Sequence, residues 1–279
     1  MQSVLTTNNL NENSIIFTQP KLDKNKKLSV GILNSETKSA VYIETEILRT
    51  PFGVGFYDGG KNIAEEAKSY SLLLKEDSEG NENYEKSKKL FDFLESVDDN
   101  GINHVIAHSQ TIFKKKYTQE QKPIVEDMLF NKCVKRSAAA DGTPYPRKIT
   151  LKIMRNENMD PDVLVFKDSP KPLENLSFED LMGLIPKNVL LKAIIQLRFY
   201  IVNGKAGINI RVLQIKLSSH EKIGRPISYA FSDGPSDAVA LKPSEAVVLK
   251  AAEAVALKPD EDIAADSEEE DSEVEVDSA

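Results

Sequence analysis

Apolar and polar residues alternate most regularly over residues 189–217, VLLKAIIQLRFYIVNGKAGINIRVLQIKL, where two runs rich in β-branched residues flank Asn203-Gly204. That dipeptide is a strong hairpin signal, because a type I′ turn requires positive φ at both central residues. A two-residue loop fixes the register, with Val202 opposite Lys205, Tyr200 opposite Gly207, Arg198 opposite Asn209 and Gln196 opposite Arg211. Successive side chains alternate faces. Leu191, Ala193, Ile195, Leu197, Phe199 and Ile201 therefore share an apolar face with Ala206, Ile208, Ile210 and Val212. The other face carries Lys192, Gln196, Arg198 and Tyr200 against Lys205, Asn209 and Arg211, with no acid contributed by the hairpin. Such a surface is either an ordinary solvated sheet face or a nucleic-acid platform, with phosphates on the cations and a base on Tyr200.

The remaining pattern predicts a mainly β chain with a helical insertion. Residues 1–26 are polar and are expected to be poorly ordered. Short strands are expected near 28–33, 40–48 and 54–57. Residues 70–75 fit either a helix or a strand. Leu90, Phe91, Phe93, Leu94 and Val97 make a helical stripe over 84–97, which Asp98-Asp99-Asn100-Gly101 is expected to break. Further helices are predicted over 102–113 and 120–130, so the insertion runs from about 83 to 130. A turn at Pro144-Tyr145-Pro146 leads into a strand at 147–155. There Ile149, Leu151 and Ile153 alternate with Lys148, Thr150 and Lys152, giving a second strand with one apolar and one basic face. A short strand at 163–166 and a short helix at 177–184, capped by Ser177 with Asp180 three residues on, precede the hairpin.

Charge divides the chain. The 279 residues carry a net charge of −8, but from Phe231 onward there are 15 acids and 3 lysines, leaving the preceding body at +4. Residues 237–260 repeat with period eight (DAVALKPS, EAVVLKAA, EAVALKPD), and residues 260–279 hold eleven acids and no base. A segment of that composition repels itself and cannot bury enough surface to fold alone. The expected organisation is a flexible segment at 1–27, a folded domain at 28–230, a low-complexity linker at 231–259 and a disordered acidic tail at 260–279. No apolar run reaches the ~18 residues of a membrane span. The N-terminus lacks the order of a signal peptide. Cys133 is the only cysteine, which excludes an intrachain disulfide and a cysteine-based zinc site and favours a reducing, intracellular setting.

Candidate catalytic motifs fail on their own chemistry. Residues 55–62 fit G-x-x-x-x-G-K, but Asn62 stands where a P-loop needs a hydroxyl for Mg²⁺, and residues 163–168 are a poor Walker B. His104 and His108 have zinc-ligand spacing, but Val105 replaces the glutamate a metalloprotease requires. Only His220 remains, no G-x-S-x-G is present, and no acid, base and nucleophile are assembled. No catalytic residue, metal or cofactor is expected.

Leu129-Phe-Asn-Lys-Cys-Val-Lys-Arg-Ser137, then Asp141-Gly142, Tyr145-Pro146, Ile149-Thr-Leu-Lys152, Gly204-Lys205-Ala-Gly207 and Gln214-Ile-Lys216 carry a resemblance. In this spaced pattern, over roughly residues 28–217 and the acidic tail, the chain resembles the replicative single-stranded DNA-binding proteins of the short-tailed coliphage type, relatives of which occur in large nucleocytoplasmic DNA viruses. The resemblance implies an OB-fold-like antiparallel barrel with a helical insertion, α+β overall. It implies sequence-independent binding of single-stranded DNA in viral replication, recombination and repair, at a replication site in the host cytoplasm or nucleus. It also implies a tail that competes with DNA and recruits DNA polymerase, helicase or primase, and a homodimer is compatible with it. The chain departs from the pattern at its end, which is Val276-Asp277-Ser278-Ala279 rather than an aromatic residue. The expected DNA-binding residues are Lys192, Arg198, Tyr200, Lys205, Arg211, Lys148, Lys152, Arg147, Tyr145, Lys135, Arg136 and Lys132, with Tyr117 and Phe166 as further rings. The expected tail contacts are Asp266, Glu268, Glu269, Glu270, Asp271, Glu273, Glu275 and Asp277. The alternative is a non-catalytic transcription or assembly adaptor whose tail binds a basic partner. Failure to bind any oligonucleotide would favour it.

Overall fold

In chain order the strands and helices are β1 (Val4–Thr6), β2 (Ile15–Phe17), β3 (Lys21–Leu22), β4 (Leu28–Ser29), β5 (Ile32–Asn34), β6 (Tyr42–Glu44), β7 (Leu48–Thr50), β8 (Val54–Phe56), β9 (Ser69–Lys75), α1 (Tyr84–Ala107), α2 (Ser109–Phe113), α3 (Lys122–Ile124), β10 (Phe130–Asn131), β11 (Val134–Lys135), β12 (Lys148–Met154), β13 (Leu164–Phe166), α4 (Phe178–Leu184), β14 (Val189–Val202) and β15 (Lys205–Leu217). They come from a computed structural model that describes residues 4–23, 27–56 and 67–218. The octapeptide linker, the acidic tail, His220 and most of the glycine segment at 55–62 lie outside the described residues. The chain divides into a unit at 1–223 and a second at 224–279.

Five strands close a barrel. β7 pairs with β9, β9 with β12, β12 with β15, β15 with β14, and β14 returns to β7 and β6. Every pair is antiparallel except β12–β15, which is parallel. Taking β6 and β7 as one bent strand, the ring order is first–second–third–fifth–fourth–first, a five-stranded Greek-key barrel of the OB type. The barrel is antiparallel as expected except at that one seam, where the third and fifth strands run in the same direction. Leu48, Leu72, Leu74, Ile149, Leu151, Ile153, Leu191, Ile195, Ile210 and Val212 fill the interior. α4 sits between the third and fourth barrel strands. Its capping box of Ser177 and Asp180 forms, and its Phe178 stacks on Tyr70.

The hairpin register is as the turn predicts. Asn203 and Gly204 both have positive φ, at 49° and 72°. A bulge at Ile194/Ile195 leaves Leu213 unpaired and shifts the lower part of the ladder by one residue, so that Lys192 faces Lys216 directly.

Three expectations fail for physical reasons. The first segment is not merely flexible: β1 pairs in parallel with β6, and Leu5, Leu10 and Ile15 are buried, a spacing that fits neither the helical nor the strand period because short 3₁₀ turns intervene. Asp98 to Gly101 do not break α1, which runs 24 residues. Asp98 is buried, and its carboxylate accepts the backbone N–H groups of Cys133 (2.9 Å) and Val134 (3.1 Å). Gly101 lets Phe130 approach so closely that a Cβ there would lie 2.8 Å from its ring. The third predicted helix becomes a 3₁₀ turn, a single α turn at α3 and a π-helical turn over Val125–Leu129.

Candidate nucleic-acid interface

On the outer barrel wall, strand register brings four cations into one row. Arg49 of β7 lies opposite Lys75 of β9, Lys75 opposite Lys148 of β12, and Lys148 opposite Lys135 of β11. In each strand the flanking residues are buried (Leu48 and Thr50, Leu74 and Glu76, Arg147 and Ile149, Val134), so parity sends all four cationic side chains outward. Adjacent strands are ~4.8 Å apart, so the row spans about 14 Å. Among the described residues no salt bridge joins Arg49, Lys75, Lys148 or Lys135 to a carboxylate, and Arg49 Nη1 donates to Asn188 O at 3.2 Å. Like charges directly opposite in a sheet repel and destabilise it. A row of four would be relieved by bound anions, and it crosses the second and third strands, the face on which OB barrels bind oligonucleotides.

The expected contacts distribute unevenly around this row. Lys148 and Lys135 belong to it, whereas Arg49 and Lys75 were not expected. The signal for Lys75 was present, since it ends the alternating run at 69–75, but that run also fitted a helix. Arg49 was hidden because no pattern in 48–50 identifies a barrel strand. Tyr145, 56% exposed, stands in the loop that joins β11 to β12, with its backbone N–H bonded to Ser137 O. Lys152 lies on the same wall two outward positions from Lys148, in register with Ser71 and Arg211. Arg211 is held by Asp162 and Lys192 by Glu44 (2.8 Å). Acids absent from the hairpin therefore arrive from neighbouring segments. Arg198 and Lys205 are exposed along the hairpin, and Arg198 Nε donates to Gln196 Oε1.

Tyr200 is half-buried on the outer face as the register requires, but its ring is laid across the neighbouring strand. A Cβ on Gly207 would sit 2.7 Å from its hydroxyl oxygen, and that oxygen accepts a hydrogen bond from Asn131 Nδ2 at 2.8 Å. Gly207 is the position that admits the ring. Tyr117 packs against the core beneath Phe113 and Lys115, whereas Phe166 is half-buried outside the core.

Arg147 requires correction. It is 8% exposed and turned to the opposite face from Lys148. Its guanidinium donates to both carboxylate oxygens of Glu76 (2.8 and 2.6 Å), to Asp92 (2.6 Å) and to Glu95 (2.7 Å), and lies over the Phe91 ring. Burial opposes its charge, but Glu76, Asp92 and Glu95 outweigh that and raise its pKa. Arg136 joins the same network through a two-pronged contact with Glu95, and Lys132 is paired with Glu126. For Glu95, burial acts to raise the pKa, and Arg136 with Arg147 more than reverse it. These three cations fasten the helical insertion to the barrel.

The histidine pair is structural. His104 stacks on Phe17, and burial followed by the neighbouring His108 lowers its pKa to about 4, keeping it neutral. Among the described residues no group of three His, Cys, Asp or Glu is placed to hold a metal, and no helix is long and apolar enough to cross a membrane.

No protein-family model and no curated protein matches the chain. Solved structures do. The single-stranded DNA-binding protein gp2.5 of bacteriophage T7 is similar at 11% identity over 63% of this chain and 90% of its own, with a TM-score of 0.40. The single-stranded DNA-binding protein of bacteriophage Enc34, in complex with ssDNA, is similar at 15% identity over 71% and 95%, with a TM-score of 0.38. The functional conclusion is drawn from this chain's own surface.

Proposed function

We propose that this protein binds single-stranded DNA without sequence preference and without catalysis, holding the phosphate backbone on the cation row of Arg49, Lys75, Lys148 and Lys135. The observation that carries the reading is that row: four like charges in register across four strands, with no carboxylate partner among the described residues, on the oligonucleotide-binding wall of an OB barrel. Sequence-tolerant binding combines such a cationic track with rings on which bases stack. Tyr145 supplies an exposed ring beside the track. Arg198, Lys205 and Lys152 extend the positive surface toward the hairpin. The resemblance of residues 129–152 and 204–216 to phage single-stranded DNA-binding proteins supports the same reading.

The acidic tail is the second part of the proposal. With eleven acids and no base over residues 260–279, it carries the charge that matches the row. Asp266, Glu268, Glu269, Glu270, Asp271, Glu273, Glu275 and Asp277 would compete with phosphates for the row. Displaced by DNA, they would be offered to a basic surface of a polymerase, helicase or primase at sites of replication, recombination or repair.

Fluorescence anisotropy of the full chain with a labelled oligothymidine tests the binding reading. Affinity is expected to fall with salt, with a log–log slope near −3, since each single-strand phosphate neutralised contributes about −0.7. Absence of binding at low salt would contradict the reading and favour a protein-binding adaptor.

A further inference from the structure

A groove of about 510 Å³ opens beside β13, around the barrel from the cation row. Three residues on adjacent strands meet there in register: Phe166 of β13 lies opposite Lys216 of β15, and Lys216 opposite Lys192 of β14. The bulge at Ile194/Ile195 creates this arrangement, because without the extra residue Lys192 would not face Lys216. Glu44 binds Lys192 at 2.8 Å and neutralises one of the two facing charges. Lys216 is exposed, and no salt bridge joins it to a carboxylate among the described residues. Lys167 lines the same groove with Asp168, leaving it with one net positive charge. Phe166 is half-buried, and among the described residues it does not belong to the hydrophobic core and no other aromatic ring is stacked on it. A phenyl ring held at a groove wall beside an uncompensated ammonium has the two elements that grip one nucleotide: a face for the base and a charge for its phosphate.

The groove also lies one strand away from the end of the row. Arg49, the last cation of the row, lies opposite Leu190 of β14, and Lys192 is two residues further along the same strand on the same face. Two residues of strand advance about 7 Å.

We propose that this groove is a base-stacking subsite. Single-stranded DNA leaving the row at Arg49 crosses β14, places a phosphate at Lys216 and stacks the adjacent base on Phe166. Glu44 fixes Lys192 as the wall between the two parts of the track. The proposal rests on the DNA-binding reading above and adds a second point of grip.

The chain contains no tryptophan. Phe166→Trp therefore installs a single indole reporter at the groove. Titration of the full-length variant with oligothymidine, followed by tryptophan emission and by anisotropy of a labelled strand, is expected to show saturable quenching that coincides with binding. An abasic strand of equal length should bind without quenching. Phe166→Leu, which keeps an apolar side chain in β13, should lose about 5- to 150-fold in affinity with its salt slope unchanged, as expected for one base stack. Lys216→Ala should lower the slope by ~0.7. Binding without quenching, together with full affinity in Phe166→Leu, would overturn the subsite and leave the row intact. Equal quenching by thymidine monophosphate at the same nucleotide concentration would replace it with a free-nucleotide pocket. No binding of any strand by the unsubstituted protein would overturn both readings.

Discussion

Arg147 and Lys148 stand side by side at the start of β12, and strand parity gives them opposite environments. Lys148 joins the outward row, while Arg147 is enclosed by Glu76, Asp92 and Glu95. The alternation of Ile149, Leu151 and Ile153 already placed Arg147 on the apolar side, but a sequence cannot show that a buried arginine has carboxylates waiting 52 to 71 positions away. Arg147→Ala leaves Glu76, itself 8% exposed, as an unpaired buried charge, and such losses cost ~3–5 kcal/mol. Urea unfolding should register that loss, while the salt slope of DNA binding in the folded variant should match the unsubstituted protein. A shallower slope would return Arg147 to the DNA surface. Asp98 offers a pH test. Burial outweighs its hydrogen bonds from Cys133 and Val134 and pushes its pKa up to about 6 from an ordinary 3.8. Because the folded-state value is the higher one, its favourable contribution is complete below the ordinary pKa and is lost as pH rises through about 6. Asp98→Asn removes that titration. Its stability relative to the unsubstituted protein should therefore improve between about pH 4 and about pH 7. A constant difference across that range would contradict the assignment.

At the scale of elements, legibility followed local pattern. The hairpin was readable in full, down to the pairing of Tyr200 with Gly207, because turn chemistry and period-two alternation agree there. β12 and the cap of α4 were readable for the same reason. Elements held by distant partners were not. β1 is three residues long and exists because β6 pairs with it. α1 continues through Asp98-Asp99-Asn100-Gly101 because β10 and β11 pack there and satisfy Asp98. The cation row belongs to this second kind. Each strand supplies one of its members, and only the registry of β7, β9, β12 and β11 makes a row of them. Sequence reasoning concentrated on the hairpin face, where the structure brings Glu44 and Asp162 to two of its cations.

At the scale of the whole chain, a body of net +4 and a following segment of net −12 are covalently joined, so the proposed competition of the tail with DNA would be intramolecular. A chain ending at Pro259 should bind oligothymidine more tightly than the full chain, with the difference shrinking as salt screens both interactions. Equal affinities at low salt would remove the tail from the competition. If the row of Arg49, Lys75, Lys148 and Lys135 receives phosphates, removing its lysines must change binding and stability in opposite senses. Lys75→Ala and Lys148→Ala should each lower the salt slope by ~0.7, and together by ~1.4, because one phosphate contact is lost per lysine. The same substitutions should leave urea stability unchanged or raised, since each relieves repulsion between facing charges. A double variant that binds with the slope of the unsubstituted protein would contradict the account.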